Sequence, residues 1–382
     1  MTRELRLVAA SLMLWGIGEG MYIHFQPLYL QQLGADPVQI GGILGLASIG
    51  MVVTHIPAGA LADRFGRRVL MRASWFMGML AAWIMFLAPN LPLFTAGLVF
   101  YYFTAFVLSP LSSYITAARG NWTTARALTT VFAIYAVGSI LGPIIGGQLS
   151  TIIGLRSIYA VAASLYMISS IMMLFLPAQP REPSASRSGY FRLLRSKSFG
   201  SMLALFALTN LALFLSWPLL PNFLQNERGL SLGDIGIIGS FSALGGVVLN
   251  LAIGRMANRP AYLLSQWLVL GSSLVLWLGT GTPMFALGYF LTGGYRTARS
   301  MMTALAETQV EKSQMGLAYG LVETSVGLTT IAAAPIAGLL YRAAPYLPFP
   351  VSLILIAASI AISARFLLRP ESASDATKSG RE

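Results

Sequence analysis

Long apolar runs alternate with short polar turns along the whole of this 382-residue chain. Twelve runs are read, at 6–31, 38–60, 69–88, 92–116, 124–152, 156–177, 200–224, 232–256, 261–280, 284–305, 315–341 and 347–368. Each is long enough for a helix to cross a hydrocarbon core roughly 30 Å thick. A spanning segment finds no water for its backbone, so it must satisfy its own N–H and C=O groups, as a helix does. The turns are short and carry Gly, Pro and Asn, as in Gly34-Ala35-Asp36-Pro37 and Pro89-Asn90-Leu91-Pro92. One interruption is long: residues 178–199 contain Pro180, Pro183, several serines and the basic Arg181, Arg187, Arg192, Arg195 and Lys197. The pattern predicts an all-α membrane protein with twelve transmembrane helices in two pseudo-symmetric six-helix bundles. Their expected bounds are 1–177 and 200–370, with a linker at 178–199 and a tail at 371–382.

Composition agrees, with 56% hydrophobic and 10% charged residues where soluble domains have about a quarter charged. Charge then adds orientation. The net charge of +12 is spread over alternate loops rather than gathered on one segment, so it argues for topology and against nucleic acid. If both termini are cytoplasmic, only Arg156, Arg228 and Arg342 lie on the outer side, leaving 22 of the 25 basic residues within or near the inner side. The opposite orientation would break the positive-inside bias. The N-terminal run is too long for a signal peptide, carries Glu19 and lacks a small-residue cleavage site, so it is read as a retained first helix. No cysteine is present, and the two histidines, His24 and His55, are far apart, so neither a thiolate site nor a metal centre is expected. Both histidines are read as structural.

Between the second and third runs stands Gly59-Ala60-Leu61-Ala62-Asp63-Arg64-Phe65-Gly66-Arg67-Arg68. It is read as a tight cytoplasmic loop. Asp63 lies among arginines and within reach of a neighbouring helix N-terminus. This stretch resembles the signature loop between helices 2 and 3 of the major facilitator superfamily of transporters. The resemblance implies a conformational gate built from Gly59, Asp63, Arg64, Gly66, Arg67 and Arg68. The halves also look like repeats. Pro27-Leu28-Tyr29-Leu30-Gln31 closes the first run and Pro221-Asn222-Phe223-Leu224-Gln225 the seventh. Gly254-Arg255-Met256-Ala257-Asn258-Arg259 is a weaker copy of the signature stretch. Repeated halves with a substrate site between them are the usual build of secondary transporters.

The fifth run contains Gly138-Ser139-Ile140-Leu141-Gly142-Pro143-Ile144-Ile145-Gly146-Gly147. Small residues four apart let helices approach closely, and proline bends a helix. The run resembles the superfamily's antiporter motif, which implies a gating role for Gly142, Pro143 and Gly146; ordinary close packing would use the same residues. The eleventh run carries a partial echo at Ala334-Pro335-Ile336-Ala337-Gly338.

Four helices carry a polar and aromatic stripe. In the first, Trp15, Glu19, Tyr22, Gln26 and Tyr29 follow 4-3-4-3 spacing. An acid inside a span is costly and is a functional candidate by default. The fourth aligns Tyr102, Phe106, Ser109 and Ser113. The seventh aligns Phe206, Asn210, Leu213 and Trp217. The tenth aligns Tyr289, Thr292, Arg296, Arg299 and Thr303. The family resemblance implies that helices 1, 4, 7 and 10 line a central cavity. Glu19 and Glu323 are the expected proton-coupling residues. Trp15, Tyr22, Gln26, Tyr102, Phe106, Asn210, Trp217, Tyr289 and Arg296 are the expected substrate contacts. Arg296 and Glu323 are expected at similar depth, about 12–15 Å from the cytoplasmic ends at 1.5 Å per residue, and so to pair. Many proton-driven exporters of the family have an arginine within helix 4; here there is none before Arg119, at its cytoplasmic end.

These features imply a monomeric secondary transporter of the cell (inner or plasma) membrane that works by alternating access, with protons and a small-molecule substrate as partners. Proton-driven export of amphipathic or hydrophobic compounds is the leading expectation. Uptake of a polar or anionic metabolite, with Arg296 as anion partner, is the alternative, and a receptor or channel a third. No nucleotide-binding loop, nucleophile elbow or metal-ligand helix occurs, so neither an enzyme nor a cofactor is expected.

Overall fold

The computed structural model describes residues 1–179, 197–308, 310 and 315–367; the side chains of 55–64, 197–198, 315–317 and 366–367 lie outside the description. Among the described residues, sixteen α-helices and one 3-10 turn make up the twelve expected spans. The first span is α1 (Arg3–Ile23) and α2 (Gln26–Gln32). Then come α3 (Pro37–Phe65) and α4 (Arg67–Leu87). The fourth span is α5 (Leu91–Phe103), a 3-10 turn (Thr104–Val107) and α6 (Leu108–Ala117). The fifth and sixth are α7 (Thr124–Ile153) and α8 (Leu155–Leu174). The seventh is α9 (Lys197–Phe214) and α10 (Leu220–Asn226), followed by α11 (Leu232–Ile253) and α12 (Asn258–Leu278). The tenth is α13 (Thr282–Leu291) and α14 (Gly293–Glu307). The last two are α15 (Met315–Ala343) and α16 (Pro348–Leu367).

Helix starts follow local chemistry. Asn90 accepts a hydrogen bond from the Leu93 N–H at 3.1 Å, and Ser231 with Asp234 forms a capping box on α11. The guanidinium groups of the three basic residues that break the charge asymmetry lie near helix C-termini, where positive charge meets the exposed carbonyls. Arg156 Nε donates to the Phe86 carbonyl at 2.8 Å, Arg228 donates to the Trp277 carbonyl, and Arg342 lies in the last turn of α15.

The expected loop at 59–68 is mostly helix. α3 continues to Phe65, and Gly66 alone, at φ 89°, makes the turn into α4. Helical backbone here leaves fewer N–H groups unsatisfied than a loop would, and only glycine enters this conformation at little cost. Gly59, Asp63, Arg64 and His55 are among the residues whose side chains are outside the description. Arg67 reaches Gln179 Oε1 at 3.5 Å, and Arg68 begins α4. In the second half α11 already ends at Ile253, so the two copies of the stretch are folded differently.

The two halves share an internal lock. In the first, Trp75 Nε1 on α4 donates to Ser11 Oγ on α1 and Ser169 Oγ on α8, at 2.9 and 2.8 Å, and those two hydroxyls are 2.6 Å apart. In the second, Tyr262 Oη on α12 donates to Thr209 Oγ1 on α9 at 2.7 Å, and Thr209 meets Ser359 on α16 at 2.6 Å. The first, third and sixth spans of each half are thus tied by one aromatic donor and two hydroxyls, a repeat of contacts rather than of residue types.

The halves meet at the end remote from the chain's N-terminus. There α3 crosses α15, and a methyl added at Gly41 would strike the Ala334 backbone while one at Gly45 would strike the Ile331 carbonyl. Likewise α7 crosses α11 with Gly147 against Gly236. Such glycines let backbones touch where side chains would hold them apart. The short helices α2 and α10, from the matching Pro27 and Pro221 stretches, join across the same end. Asn222 Nδ2 donates to the Pro27 carbonyl at 3.2 Å and to Gln31 Oε1 at 2.5 Å, and Asn226 Nδ2 to Gln31 Oε1 at 3.1 Å.

Candidate functional site

Among the described residues, nine of the twelve spans contain a helix long and apolar enough to cross a membrane; the first, seventh and tenth do not. Those three and the fourth are also the spans that break. Proline lacks the N–H that would bond the carbonyl four residues earlier. Pro27 so releases the Ile23 carbonyl, where α1 stops, and Pro218 releases that of Phe214, where α9 stops. Pro110 does the same to Phe106, inside the 3-10 turn. In the tenth span Gly293 and Gly294 open α14, and a methyl at Gly293 would overlap the Gly245 backbone. Broken backbone at membrane depth is tolerated where it lines a cavity.

The cavity bordered by the breaks of the first, seventh and tenth spans has a volume of about 260 Å³ and lies between the halves. The first half supplies Glu19, Gly20, Ile23 and His24 from the first span and Tyr135 and Ser139 from α7. The second half supplies Phe214 and Trp217 from the seventh span and Thr292, Tyr295 and Arg296 from the tenth. Glu19 is the one carboxylate on this wall among the described residues. It accepts a hydrogen bond from Tyr135 Oη at 2.6 Å. Arg296 faces it from the other half, exposed to the cavity. A smaller chamber of about 90 Å³ shares Ile23, His24, Phe214 and Trp217 with the cavity and adds Gln26, Tyr102 and Tyr289. A third, mainly apolar space of about 350 Å³ opens inside the first half behind Glu19, walled by Trp15, Trp75, Tyr101 and Tyr102.

The expected substrate contacts divide accordingly. Trp217 and Arg296 line the main cavity beside the coupling candidate Glu19, and Gln26, Tyr102 and Tyr289 line the small chamber. Trp15 and Tyr22 instead turn into the first half. Trp15 stacks on Tyr166 with ring centroids 4.1 Å apart, and Tyr22 stacks on Tyr159 and meets Tyr166 Oη at 3.1 Å. The stripe on the first helix is therefore two faces. Trp15 and Tyr22, seven residues apart, look inward, whereas Glu19 is turned about 40° further round and looks across the cavity. Asn210 is buried as a clamp, donating to the Val326 carbonyl at 3.1 Å and Thr329 Oγ1 at 2.6 Å and accepting from Tyr295 Oη at 3.0 Å. Phe106 sits on the 3-10 turn, which takes three residues per turn and so throws the expected stripe out of phase.

The expected Arg296–Glu323 pair is not formed: Glu323 pairs with Arg299, whose Nε also lies 3.4 Å from its Oε1. The reason is register. α14 runs on to Glu307, so Arg299 stands eight residues before its end, and Glu323 stands eight residues after the start of α15 at Met315. In an antiparallel pair those positions are level. Gly138, Gly142 and Gly146 press α7 onto α1, each facing a backbone carbonyl of α1, while Pro143 packs on Gly20.

Among the cavity residues outside the expected set are His24, Tyr135 and Tyr295. His24, taken as structural from the sequence, occupies the break after α1, with ring centroids 6.1 Å from Trp217 and 5.9 Å from Tyr289. Pro27 is the signal that could have placed it there. Tyr135 lies one turn before the glycine run of α7 and reaches Glu19 only because that run brings α1 close. Tyr295 follows the Gly293-Gly294 break.

Comparison with known proteins adds the family. A model of the Major Facilitator Superfamily matches residues 8–216 and 202–382. The enterobactin exporter EntS of Shigella boydii serotype 18 is 28% identical over 314 residues, covering 77% of this chain and 75% of that protein. EntS of Escherichia coli O81 matches to the same extent. The crystal structure of the nucleoside transporter NupG superposes with a TM-score of 0.81 at 15% identity, covering 96% of this chain and 99% of that one, which bears on the fold alone.

Proposed function

The chain belongs to the major facilitator superfamily, and on that premise we propose that this membrane transporter exports small amphipathic compounds in exchange for protons. The observation that carries the reading is Glu19, a carboxylate on the wall between two aromatic-lined halves. Export is supported by the two relatives, both exporters. With both termini cytoplasmic, the end closed by the α3–α15 and α7–α11 crossings is the outer one, and the cavity faces inward. Substrate enters from the cytoplasm while Glu19 is ionised and held by Tyr135. The halves then rock, the glycine crossings part, and the cavity opens outward. A proton taken up by Glu19 on that side weakens substrate binding and returns with the protein. Asp63 and its arginines hold the alternate, cytoplasmic closure.

The test is flux into proteoliposomes with an imposed proton gradient, starting with enterobactin because the relatives export it. Glu19→Gln is expected to lose gradient-driven accumulation yet keep substrate binding, with affinity no longer changing between about pH 5 and 9. Proton-driven accumulation by Glu19→Gln would remove Glu19 as the coupling site.

A further inference from the structure

The hydrogen-bonding groups around the cavity are unequally used. The Glu19 carboxylate and the hydroxyls of the main cavity are engaged within the protein. Glu19 receives Tyr135, Tyr295 gives its proton to Asn210, Ser139 to the Tyr135 carbonyl at 3.2 Å and Ser272 to the Gly288 carbonyl at 2.8 Å. Thr292 Oγ1 lies 3.1 Å from Ser242 Oγ. Three donors among those that remain stand around the two chambers. Gln26 Nε2 and Tyr289 Oη, on residues 2% and 0% exposed, have no partner among the described residues. Both line the small chamber above His24. The Arg296 guanidinium, in the main cavity, is engaged by no carboxylate or carbonyl among the described residues, in contrast to Arg299.

A buried donor without an acceptor is costly, so a site that keeps several of them open is complementary to a ligand that brings acceptors. Between the two chambers the walls are flat rings, with Trp217 lying 5.7 Å from Tyr289 and Phe214 beside them. The main cavity, at about 260 Å³, lies just below the usual 300–1,000 Å³ of ligand pockets and admits a small molecule.

We propose that the substrate is a planar, oxygen-rich compound whose carbonyl or hydroxyl oxygens accept hydrogen bonds from Gln26 Nε2 and Tyr289 Oη in the small chamber and from Arg296 in the main cavity. This rests on the transport reading but is separable from it, because it concerns equilibrium binding without a gradient. The oxygens discriminate the substrate from apolar compounds of the same shape, since an analogue lacking them leaves the three donors unpaired. The chamber sits next to the outer closure made by Gln31, Asn222 and Asn226, so filling it places the ligand against both halves before that closure parts.

The experiment uses the full chain in detergent and two probes of similar bicyclic shape, 7-hydroxycoumarin and 2-naphthol, which differ in the lactone oxygens. Binding is read by fluorescence. The coumarin is expected to bind about tenfold more tightly or better. Gln26→Leu and Tyr289→Phe are each expected to weaken it about five- to tenfold without changing 2-naphthol, and Arg296→Gln to do the same, with Arg296→Lys retaining part of the preference. Thermal melting of each variant without probe confirms that it is folded. Equal affinities for the two probes, or variants that alter melting but leave the preference intact, would overturn the proposal; the latter result would mean that the chamber holds only water. Loss of proton-driven flux in Glu19→Gln with the probe preference preserved separates this inference from the coupling assignment.

Discussion

Tyr135 donates a 2.6 Å hydrogen bond to Glu19 across the α1–α7 contact. The contact is close because Gly138, Gly142 and Gly146 remove side chains from the face of α7 that meets α1. A hydrogen bond to an ionised group is worth about 1.5–3 kcal/mol, and about 1.4 kcal/mol is a factor of ten. Tyr135→Phe, which keeps the ring and removes the donor, is expected to slow proton-driven flux about tenfold or more while leaving the protein folded. Initial rates under an imposed gradient check this; a wild-type rate would detach Tyr135 from coupling.

Arg299 and Glu323 form the ion pair between α14 and α15, with side chains 35% and 38% exposed. Partial exposure places the pair between a surface bridge, near 0–1 kcal/mol, and a buried one, where losing one partner costs about 3–5 kcal/mol. Neutralising either residue is expected to destabilise the protein more than neutralising both, with a coupling of about 1 kcal/mol. Chemical or thermal unfolding of the two single variants and the double variant measures it, and additive effects would count against the pair. The same cycle on Arg296 and Glu323 is expected to be additive.

Gly147 lies against Gly236 where α7 crosses α11. A larger side chain there is expected to hold this end of the two halves apart. Because the chain has no native cysteine, a pair introduced at Gln31 and Asn226 reports on the closure directly. Cross-linking should be efficient in the otherwise native protein and reduced several-fold when Gly147→Leu is added. Undiminished cross-linking would show that the crossing tolerates the wedge.

Trp75 and Tyr262 occupy equivalent places in the two internal locks, each giving its proton to buried hydroxyls. Tyr262→Phe removes only the donor and is expected to lower stability by about 1 kcal/mol, the net worth of one hydrogen bond plus an unsatisfied Thr209 contact. Trp75→Phe also removes volume beside Trp15 and is expected to cost more, about 2–3 kcal/mol. Melting temperatures rank the two, and the reverse order would indicate that the second half depends on its lock more than the first.

Much of this protein was legible in its residue order. Spans, turns and the all-helical class follow from apolar run length, because a bilayer leaves the backbone no partner but itself. The repeated Pro27 and Pro221 stretches marked halves that the fold does build alike, and Glu19 stood out as an acid where acids are expensive. The breaks at Pro27, Pro110 and Pro218 were also within reach, since each proline forfeits a definite hydrogen bond. Packing decided the rest. Periodicity places Trp15, Glu19 and Tyr22 on one side of a helix, but an arc of some 60° is wide enough to face both a neighbouring helix and a cavity. Whether Glu323 met Arg296 or Arg299 turned on where α14 ended, a matter of two residues that hydropathy does not resolve. His24 and Tyr135 entered the site through contacts with other spans. Run length and cost of burial are properties of one segment and can be read along it; which side chains share a cavity depends on how several segments pack, and only the tertiary structure holds that.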